Sequence, residues 1–465
     1  MQLSASFWAL AAILLALSSA NARPVRRNPT GLITFPLRLV ERNQQHIPVE
    51  LRHQQHLNRA ERLVARVAGV EGPSDAQLRA KLERRASFLS SADKRFNIPP
   101  PGFAGSVSNV IVENETVENE NTGDDSPPKL IAQSSAIDPD GPDTSFVFNV
   151  PIGTPSRDFN IILDSGSGDF WVESDTCTSQ SGGGCGNHTF LGADTSSSFV
   201  NTKQPWSVTY GSGAASGELV TDTIVMGGMV LGNHTFGVAH SISESFSGDS
   251  VADGLMGLGK PGLSNQKVPT PVQSLVNAGF ISAAITSYRL PRTLDNLNNG
   301  EVTFGGLDDS RFDSSTLVTL NATDDDFWIT QLGGVTVNGA TVSLSGARTA
   351  LMDTGTTILV VPATDLDPIH AKIPGAVKKS DGSWTVPCNT TTSVALEFGG
   401  KSFPISSKDL PFASGGKTTG DCTSGIGGFS AGDSLTQWLV GGTFLKSVYF
   451  STNLEENTIT LAKAV

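Results

Sequence analysis

Short apolar runs alternate with glycine, asparagine and aspartate along most of this 465-residue sequence, from residue 143 onward. The runs are rich in β-branched and aromatic residues, which predicts short strands rather than long helices. Two short helices are predicted in this part, at residues 271–278 and 434–439. The pattern therefore predicts an all-β domain. The predicted strands include residues 145–152, 159–163, 170–173, 206–210, 218–226 and 316–320.

The pattern before residue 96 is different. Residues 54–68 and 76–90 place apolar side chains at helical spacing, and residues 31–38 are compatible with one strand. Residues 96–135 contain three consecutive prolines and an acidic Asn/Glu run without apolar periodicity. That composition is typical of a disordered linker, which we expect to be removed on maturation.

Residues 1–22 are predicted to be a secretory signal peptide. An apolar run at 7–17 precedes small residues at Ala20 and Ala22, although no Lys or Arg precedes the run. The run is shorter than the ~18–20 residues that a spanning helix needs, which disfavours a membrane anchor. No lipid-anchor tail is found at the C-terminus. An extracellular location is therefore predicted, with vacuolar delivery as the alternative.

Charge is distributed unevenly along the chain. Residues 23–95 contain 15 Lys and Arg against 7 Asp and Glu, whereas residues 136–465 contain 16 against 32. The basic segment should bind the acidic one at neutral pH and release it when carboxylates are protonated. Lys94-Arg95 is a candidate processing site. The acidity of the major domain argues against a nucleic-acid partner.

Four cysteines and five Asn-x-Thr sequons agree with secretion. In an oxidising compartment, closeness in sequence favours the pairs Cys177–Cys185 and Cys388–Cys422 among three possible connectivities. Free buried thiols are the alternative, and zinc is disfavoured because no C-x-x-C occurs. The candidate glycosylation sites are Asn114, Asn187, Asn233, Asn321 and Asn389.

Two apolar runs end in the same kind of turn. Asp164 is followed by Ser165-Gly166-Ser167, and Asp353 is followed by Thr354-Gly355-Thr356. Glycine allows a tight turn, and the hydroxyl groups can brace the two loops and orient the carboxylates. A single such motif is an ordinary turn in a glycine-rich chain. Two of them, each after an apolar run, predict a pair of carboxylates that share one proton and activate water without a metal or cofactor.

With these motifs, the chain from Phe146 to its C-terminus resembles the pepsin family of aspartic endopeptidases. Residues 208–213 resemble the family's flap hairpin, in which Tyr210, Gly211 and Ser212 would contact substrate and Trp171 would bond the tyrosine. Residues 253–259 and 438–441 resemble the apolar-apolar-Gly strands beneath the two active-site loops. The cysteine pairs fall where the family has disulfides, and residues 31–38 resemble the first strand of a family propeptide.

The resemblance implies a mainly β, bilobal fold with two six-stranded-barrel-like lobes and an active-site cleft between them. The peptidase domain would cover residues 136–465, with an N-lobe at about 136–310 and a C-lobe at about 311–465, preceded by a basic propeptide at 23–95. The resemblance further implies a monomeric fungal acid endopeptidase, made as a zymogen. It would act on proteins and peptides and be blocked by pepstatin-type inhibitors. A propeptide cation should pair with the two aspartates, but the sequence does not identify it.

Several positions depart from the family pattern, among them residues 450–453, which replace a common Phe-Asp. Ser165 stands where threonine is usual and keeps the hydroxyl group, and Gly442 replaces a frequent aspartate. Ser212 stands where some fungal relatives carry an aspartate that accepts lysine beside the scissile bond. Its absence predicts a preference for hydrophobic residues there.

Other motifs point to weaker alternatives. Residues 428–432 match the G-x-S-x-G nucleophile elbow, but the last histidine is His370, so no histidine follows the serine. Residues 257–262 match G-x-G-x-x-G but continue as a Pro-Gly turn rather than a helix. The remaining alternative is a pepsin-like binding protein without activity. Such a protein would be expected to lose an Asp or Gly of the two motifs, and both motifs are complete.

Overall fold

The computed structural model describes residues 32–40, 47–89, 145–210, 213–243, 246–247, 252–295, 297, 299–412, 419–429 and 436–465. The predicted signal peptide, the Lys94-Arg95 site, the linker at 96–135, Asn114, Gly211 and Ser212 lie outside these residues.

Strands dominate the described residues, so the predicted all-β class is confirmed. The strands of the first half are β1 (Ile33–Val40), β2 (Ser145–Ile152), β3 (Arg157–Asp164), β4 (Phe170–Ser179), β5 (Val200–Thr209), β6 (Ala214–Met226), β7 (Met229–Ile242), β8 (Gly254–Gly257), β9 (Ile285–Arg289), β10 (Gly300–Phe304) and β11 (Phe312–Asn321). Those of the second half are β12 (Ile329–Leu332), β13 (Gly334–Val337), β14 (Ala340–Thr341), β15 (Arg348–Met352), β16 (Leu359–Pro362), β17 (Val377–Lys378), β18 (Trp384–Pro387), β19 (Val394–Phe398), β20 (Lys401–Ile405), β21 (Asp421–Thr423), β22 (Ile426–Phe429), β23 (Gln437–Val440), β24 (Val448–Asn453) and β25 (Thr458–Ala464). The helices are α1 (Val49–Val67), α2 (Asp75–Ser87), α3 (Pro271–Asn277), α4 (Ala363–His370) and α5 (Gly442–Leu445), with 3-10 turns at Pro261–Leu263, Thr293–Asp295, Asp309–Arg311 and Ser407–Asp409.

Strand β1, from the basic segment, lies inside the largest sheet. It pairs antiparallel with β10 on one side and with β2 on the other, within the order β11-β25-β24-β9-β10-β1-β2-β3-β8-β4-β7-β6-β5. Ile33, Phe35 and Leu37 are buried and alternate with more exposed residues, as a strand requires. The Phe35 ring packs edge-on against Phe148, 5.3 Å between centroids. The basic segment is therefore an integral part of the core.

The two helices of the basic segment are found close to their predicted positions. α1 spans Val49–Val67 and begins five residues before the predicted start, directly after Pro48. α2 spans Asp75–Ser87, and its N-cap Ser74 forms a capping box with Gln77. α1 packs on strands β21, β22 and β23 of the second half, and α2 packs on α1.

The predicted helix at 434–439 is wrong where the structure describes it. Gln437–Val440 forms β23, which pairs parallel with β15 and antiparallel with β16. Trp438, Leu439 and Val440 are all fully buried, because this strand is covered on both faces. A continuous apolar run of this kind has no alternation, so its pattern does not distinguish a buried strand from a buried helix. The helix α5 begins only after Gly441.

Equivalent strand arrangements support the turns that carry Asp164 and Asp353. β3 pairs parallel with β8, and β8 pairs antiparallel with β4. In the second half, β15 pairs parallel with β23, and β23 pairs antiparallel with β16. The turn after β3 and the turn after β15 are thereby presented in the same way, one from each half of the chain.

Candidate active site

The structure brings the two aspartates of the repeated motif together at the ends of β3 and β15. Asp164 is 2% exposed and Asp353 is fully buried. Asp164 accepts hydrogen bonds from the Gly166 backbone N–H (3.0 Å) and the Ser167 hydroxyl (2.7 Å). Asp353 accepts equivalent bonds from the Gly355 N–H (2.9 Å) and the Thr356 hydroxyl. Each carboxylate is thus oriented by two donors of its own loop.

Ser165 and Thr354 tie the two loops to each other. The Ser165 hydroxyl donates to the Met352 carbonyl (3.1 Å) and accepts from the Thr354 N–H (2.9 Å). The Thr354 hydroxyl donates to the Leu163 carbonyl (3.1 Å) and accepts from the Ser165 N–H (3.0 Å). The four bonds are symmetric, so serine at position 165 supplies the same contacts as threonine does at position 354.

The glycines of the two motifs allow the loops to approach closely. A Cβ on Gly166 would lie 2.6 Å from Asp353 Oδ1, and a Cβ on Gly355 would lie 2.4 Å from Asp164 Oδ1. Both distances are far shorter than a carbon–oxygen contact allows. Any larger residue at either position would displace the facing carboxylate.

Burial and the neighbouring Asp164 carboxylate raise the pKa of Asp353 above its usual value. The Arg59 guanidinium and the Thr356 hydroxyl act in the opposite direction on that pKa, but more weakly. Two carboxyl groups this close repel each other when both are ionised, so the pair favours a state with one shared proton. Such a pair contains a base and an acid side by side.

Arg59 of α1, in the basic segment, brings a cation to the two aspartates. Its Nη2 atom lies 2.7 Å from the point that a Cβ on Gly355 would occupy, beside both aspartates. A cavity of about 530 Å³ lies between α1 and the two loops, lined by Arg59, Arg62, Leu63, Arg66, Gly72, Pro73, Asp164, Gly166, Ser207, Thr209, Tyr210, Asn265 and Asp353. Arginines at positions 59, 62 and 66 share one helical face, which is a signal that sequence analysis could have used.

Tyr210 lies at the end of β5, where the β5–β6 hairpin turns. Its hydroxyl accepts a hydrogen bond from Trp171 Nε1 at 2.8 Å, and its ring packs edge-on against Phe246. Burial, above all, raises the pKa of Tyr210 well above its usual value, so the phenol stays protonated. The tyrosine is therefore fixed as a neutral group on one wall of the cavity.

The structure contains the disulfides Cys177–Cys185 and Cys388–Cys422, the pairs that closeness in sequence favours. Glu173 lies near the first pair, but the disulfide leaves neither sulfur as a thiolate for a metal ion. The side chains of Asn187, Asn233, Asn321 and Asn389 are exposed, as glycosylation requires. The Pro-Gly of residues 257–262 leads into a single 3-10 turn, Pro261–Leu263.

A second cavity of about 530 Å³ lies away from Asp164 and Asp353. It is lined by several cationic side chains, including Arg289, Arg292, Lys401 and Lys446. Asp409 pairs with both Arg292 (2.7 Å) and Lys446 (2.6 Å). Lys401 donates to two backbone carbonyls, and Arg289 donates to the carbonyls of its neighbour and of the C-terminal residue. These cations are satisfied by the protein itself.

Two comparisons with known sequences, one with protein families and one with curated proteins, agree with each other. The family described as eukaryotic aspartyl protease matches residues 145–464. Major aspartyl peptidase 1 of Cryptococcus neoformans is 33% identical over 347 residues, 70% of each chain. A probable aspartic-type endopeptidase CTSD of Trichophyton verrucosum is 34% identical over 72% of this chain and 64% of its own. Pepsin A of Sus scrofa is 31% identical over 72% of this chain and 86% of its own.

Within the described residues, no helix is both long enough and apolar enough to cross a membrane.

Proposed function

Because this chain belongs to the pepsin-like family of eukaryotic aspartyl proteases, we propose that it is an endopeptidase whose catalytic residues are Asp164 and Asp353. The observation that carries this assignment is the pair of buried carboxylates, held by matching hydrogen bonds and braced through Ser165 and Thr354. Family membership alone would also fit a protein that has lost one of these groups. Here the complete set of supporting groups favours a functional dyad.

The proposed reaction uses the shared proton of the dyad. The ionised carboxylate removes a proton from a water molecule, whose oxygen bonds to the carbon of the peptide carbonyl, while the protonated carboxyl donates its proton to the carbonyl oxygen. The tetrahedral intermediate collapses when the newly protonated carboxyl donates its proton to the leaving nitrogen, the other carboxylate takes a proton back from a hydroxyl of the intermediate, and the C–N bond breaks. The dyad again holds one proton. Ser167 and Thr356 keep the two carboxyl groups aligned during these transfers. No metal or cofactor enters the scheme.

The substrate class follows from the walls of the cavity. The exposed edge of β5, with Ser207 and Thr209 facing the aspartates, suits an extended peptide. The neutral Tyr210–Trp171 pair offers an aromatic wall, and closure of its hairpin would exclude bulk solvent from the site around the one water molecule that reacts. We propose a preference for hydrophobic residues on both sides of the scissile bond, because Ser212 carries no charge to receive a lysine.

The chain is proposed to be a zymogen that is secreted after loss of residues 1–22. Residues 23–95 would act as the propeptide, residues 96–135 would be removed with it, and residues 136–465 would form the mature peptidase. This assignment is supported by α1, which covers the dyad with Arg59 beside both carboxylates. While α1 remains there, a substrate cannot reach Asp164 or Asp353. Its release would open the cleft between an N-lobe at 136–310 and a C-lobe at 311–465.

The test is hydrolysis of a denatured protein at about pH 4 after acid incubation, with and without pepstatin. The full chain should cleave the substrate, pepstatin should block cleavage, and Asp164→Asn should abolish it. Asp158→Asn is the matched control, because Asp158 is an exposed carboxylate on the same strand and should change nothing. Cleavage by the Asp164→Asn variant would overturn the dyad. A folded chain that binds peptides after release of α1 but cleaves none would support the binding-protein alternative.

A further inference from the structure

His53 occupies the centre of the interface between α1 and the second half of the chain. Its side chain is 3% exposed. The ring lies over β22, where a Cβ on Gly427 would come within 3.3 Å of His53 Cε1. The Phe412 ring packs edge-on against it, with 5.4 Å between the ring centroids. The imidazole is therefore enclosed by apolar groups and backbone.

The surroundings of His53 do not suit a positive charge. Neither ring nitrogen makes a hydrogen bond of normal geometry within the described residues, and the Ser424 backbone only partly favours a proton there, so a proton added to this ring would be buried with little compensation. The cation with the largest effect on His53 is Arg85 of α2, which is itself buried and paired with Asp381 at 2.9 Å. That arginine repels a second cation, while Asp381 attracts one.

Other titratable groups act on this ring or on Arg85. His370 of α4 also disfavours a charge on His53, and it bonds the Ser424 hydroxyl at 2.8 Å. His56, one turn further along α1, packs on the same Phe412 ring, and Glu50 interacts with Arg85. None of the described groups offers His53 a carboxylate within hydrogen-bond distance. The interface accepts this histidine only in its neutral form.

Building on the proposed zymogen, we propose that His53 is the pH trigger of activation, because its protonation is incompatible with α1 remaining on the cleft. A histidine in the released segment takes up a proton as the pH falls below its ordinary pKa. The same histidine in the docked segment cannot do so without a buried and poorly compensated charge. Acid therefore favours the released state.

The direction of the pH effect, and the pH range over which it acts, follow from the protonation of His53 in the released state and in the docked state. Burial, above all, lowers the pKa of His53 from 6.5 to about 3 in the docked state. Release is therefore coupled to uptake of one proton at every pH between these values. The docked state should weaken about tenfold for each pH unit below 6.5, or about a hundredfold at pH 4.5.

The ion pair of Arg85 and Asp381 responds to acid only at a lower pH. Burial raises the pKa of Asp381, but hydrogen bonds from Ser383 and the Arg85 charge outweigh it and hold that pKa below its usual 3.8. A carboxylate with a lowered pKa keeps its contribution until the pH falls through that lowered value. His53 therefore acts first, at mildly acidic pH, before this ion pair is protonated.

The experiment uses the full chain with Asp164→Asn, so that docking of α1 is measured without any proteolysis. Hydrogen-exchange protection of the amides of residues 49–67 is compared at pH 7.0 and pH 4.5, corrected for the intrinsic exchange rate. The parent chain should lose about a hundredfold more protection than a His53→Gln variant over this range. His234→Gln is the matched control, because His234 is also buried but lies on β7. It should behave as the parent.

A second substitution, His53→Leu, covers the case in which glutamine disturbs the interface at pH 7.0. If both His53 variants lose protection on acidification to within threefold of the parent, the trigger is refuted. An equal effect of His234→Gln would also refute it, by showing a general response of buried histidines. A chain that releases α1 in a His53-dependent way but, with Asp164 restored, cleaves no substrate would overturn the proposed function and leave the trigger intact.

Discussion

Replacing Ser165 by alanine tests whether the hydrogen bonds between the two loops hold the site together. The Ser165 hydroxyl is 1% exposed and serves two backbone groups, the Met352 carbonyl at 3.1 Å and the Thr354 N–H at 2.9 Å. Alanine removes both bonds and leaves two buried polar groups without a partner. Each such group costs about 1–3 kcal/mol, so the free energy of unfolding should fall by about 2–6 kcal/mol.

The same change should reduce catalysis, because the loops that carry Asp164 and Asp353 lose two of the four hydrogen bonds that join them. We expect kcat to fall about ten- to hundredfold, corresponding to about 1.4–2.8 kcal/mol of lost alignment. Urea denaturation at pH 5 and steady-state hydrolysis of a peptide measure the two effects. Ser165→Thr should restore both values, because threonine provides the same hydroxyl at position 354.

A matching substitution on the other loop makes the test stricter. Thr354→Val removes the symmetric hydroxyl, which bonds the Leu163 carbonyl and the Ser165 N–H. It should lower the free energy of unfolding and kcat by about as much as Ser165→Ala does. A loss below about 0.5 kcal/mol with unchanged kcat in both variants would show that the cross-loop bonds neither stabilise the site nor align it, contrary to the reasoning above.

Three further substitutions follow from the geometry. Gly166→Ala should reduce kcat more than about a hundredfold, because its Cβ would lie 2.6 Å from the opposite carboxylate, whereas Gly184→Ala has open space and should match the parent. Arg59→Gln should make activity appear about tenfold faster at pH 5, because the docked α1 loses the cation beside the dyad. Arg79→Gln, at an exposed position of α2, should leave the rate of activation unchanged. Equal activation rates for the Arg59 variant and the parent would argue against a stabilising contact between Arg59 and the dyad. Burial, above all, raises the pKa of Glu173 to about 7, so its ionised form destabilises the fold at higher pH and the fold gains stability as pH falls from about 7 toward 4.5. Glu173 also bonds His188 at 2.8 Å, and glutamine can keep that contact only as a neutral hydrogen bond. Glu173→Gln should therefore weaken the dependence of the free energy of unfolding on pH between about 4.5 and 7.5, as followed by thermal unfolding; an unchanged dependence would contradict this.

The sequence alone was sufficient for features that depend on local chemistry. The run at 145–152 alternates and ends at turn residues, and it forms β2 with those bounds. The two Asp-hydroxyl-Gly turns stand out because their geometry needs glycine at one position and a hydroxyl at the next. The all-β class and the family follow from the same patterns, which each segment carries in its own residues.

Features that depend on segments distant in sequence were decided only by the tertiary structure. The run around Trp438 is equally apolar in a helix and in a doubly covered strand, and only pairing with β15 and β16 selects the strand. Arg59 is one of many arginines in the basic segment until α1 docks beside the dyad. His53 likewise has nothing unusual in its sequence neighbourhood, and its burial arises from Gly427 and Phe412, more than 350 residues away. Local patterns record what one segment prefers, whereas the partner of each segment is selected by the packing free energy of the whole chain.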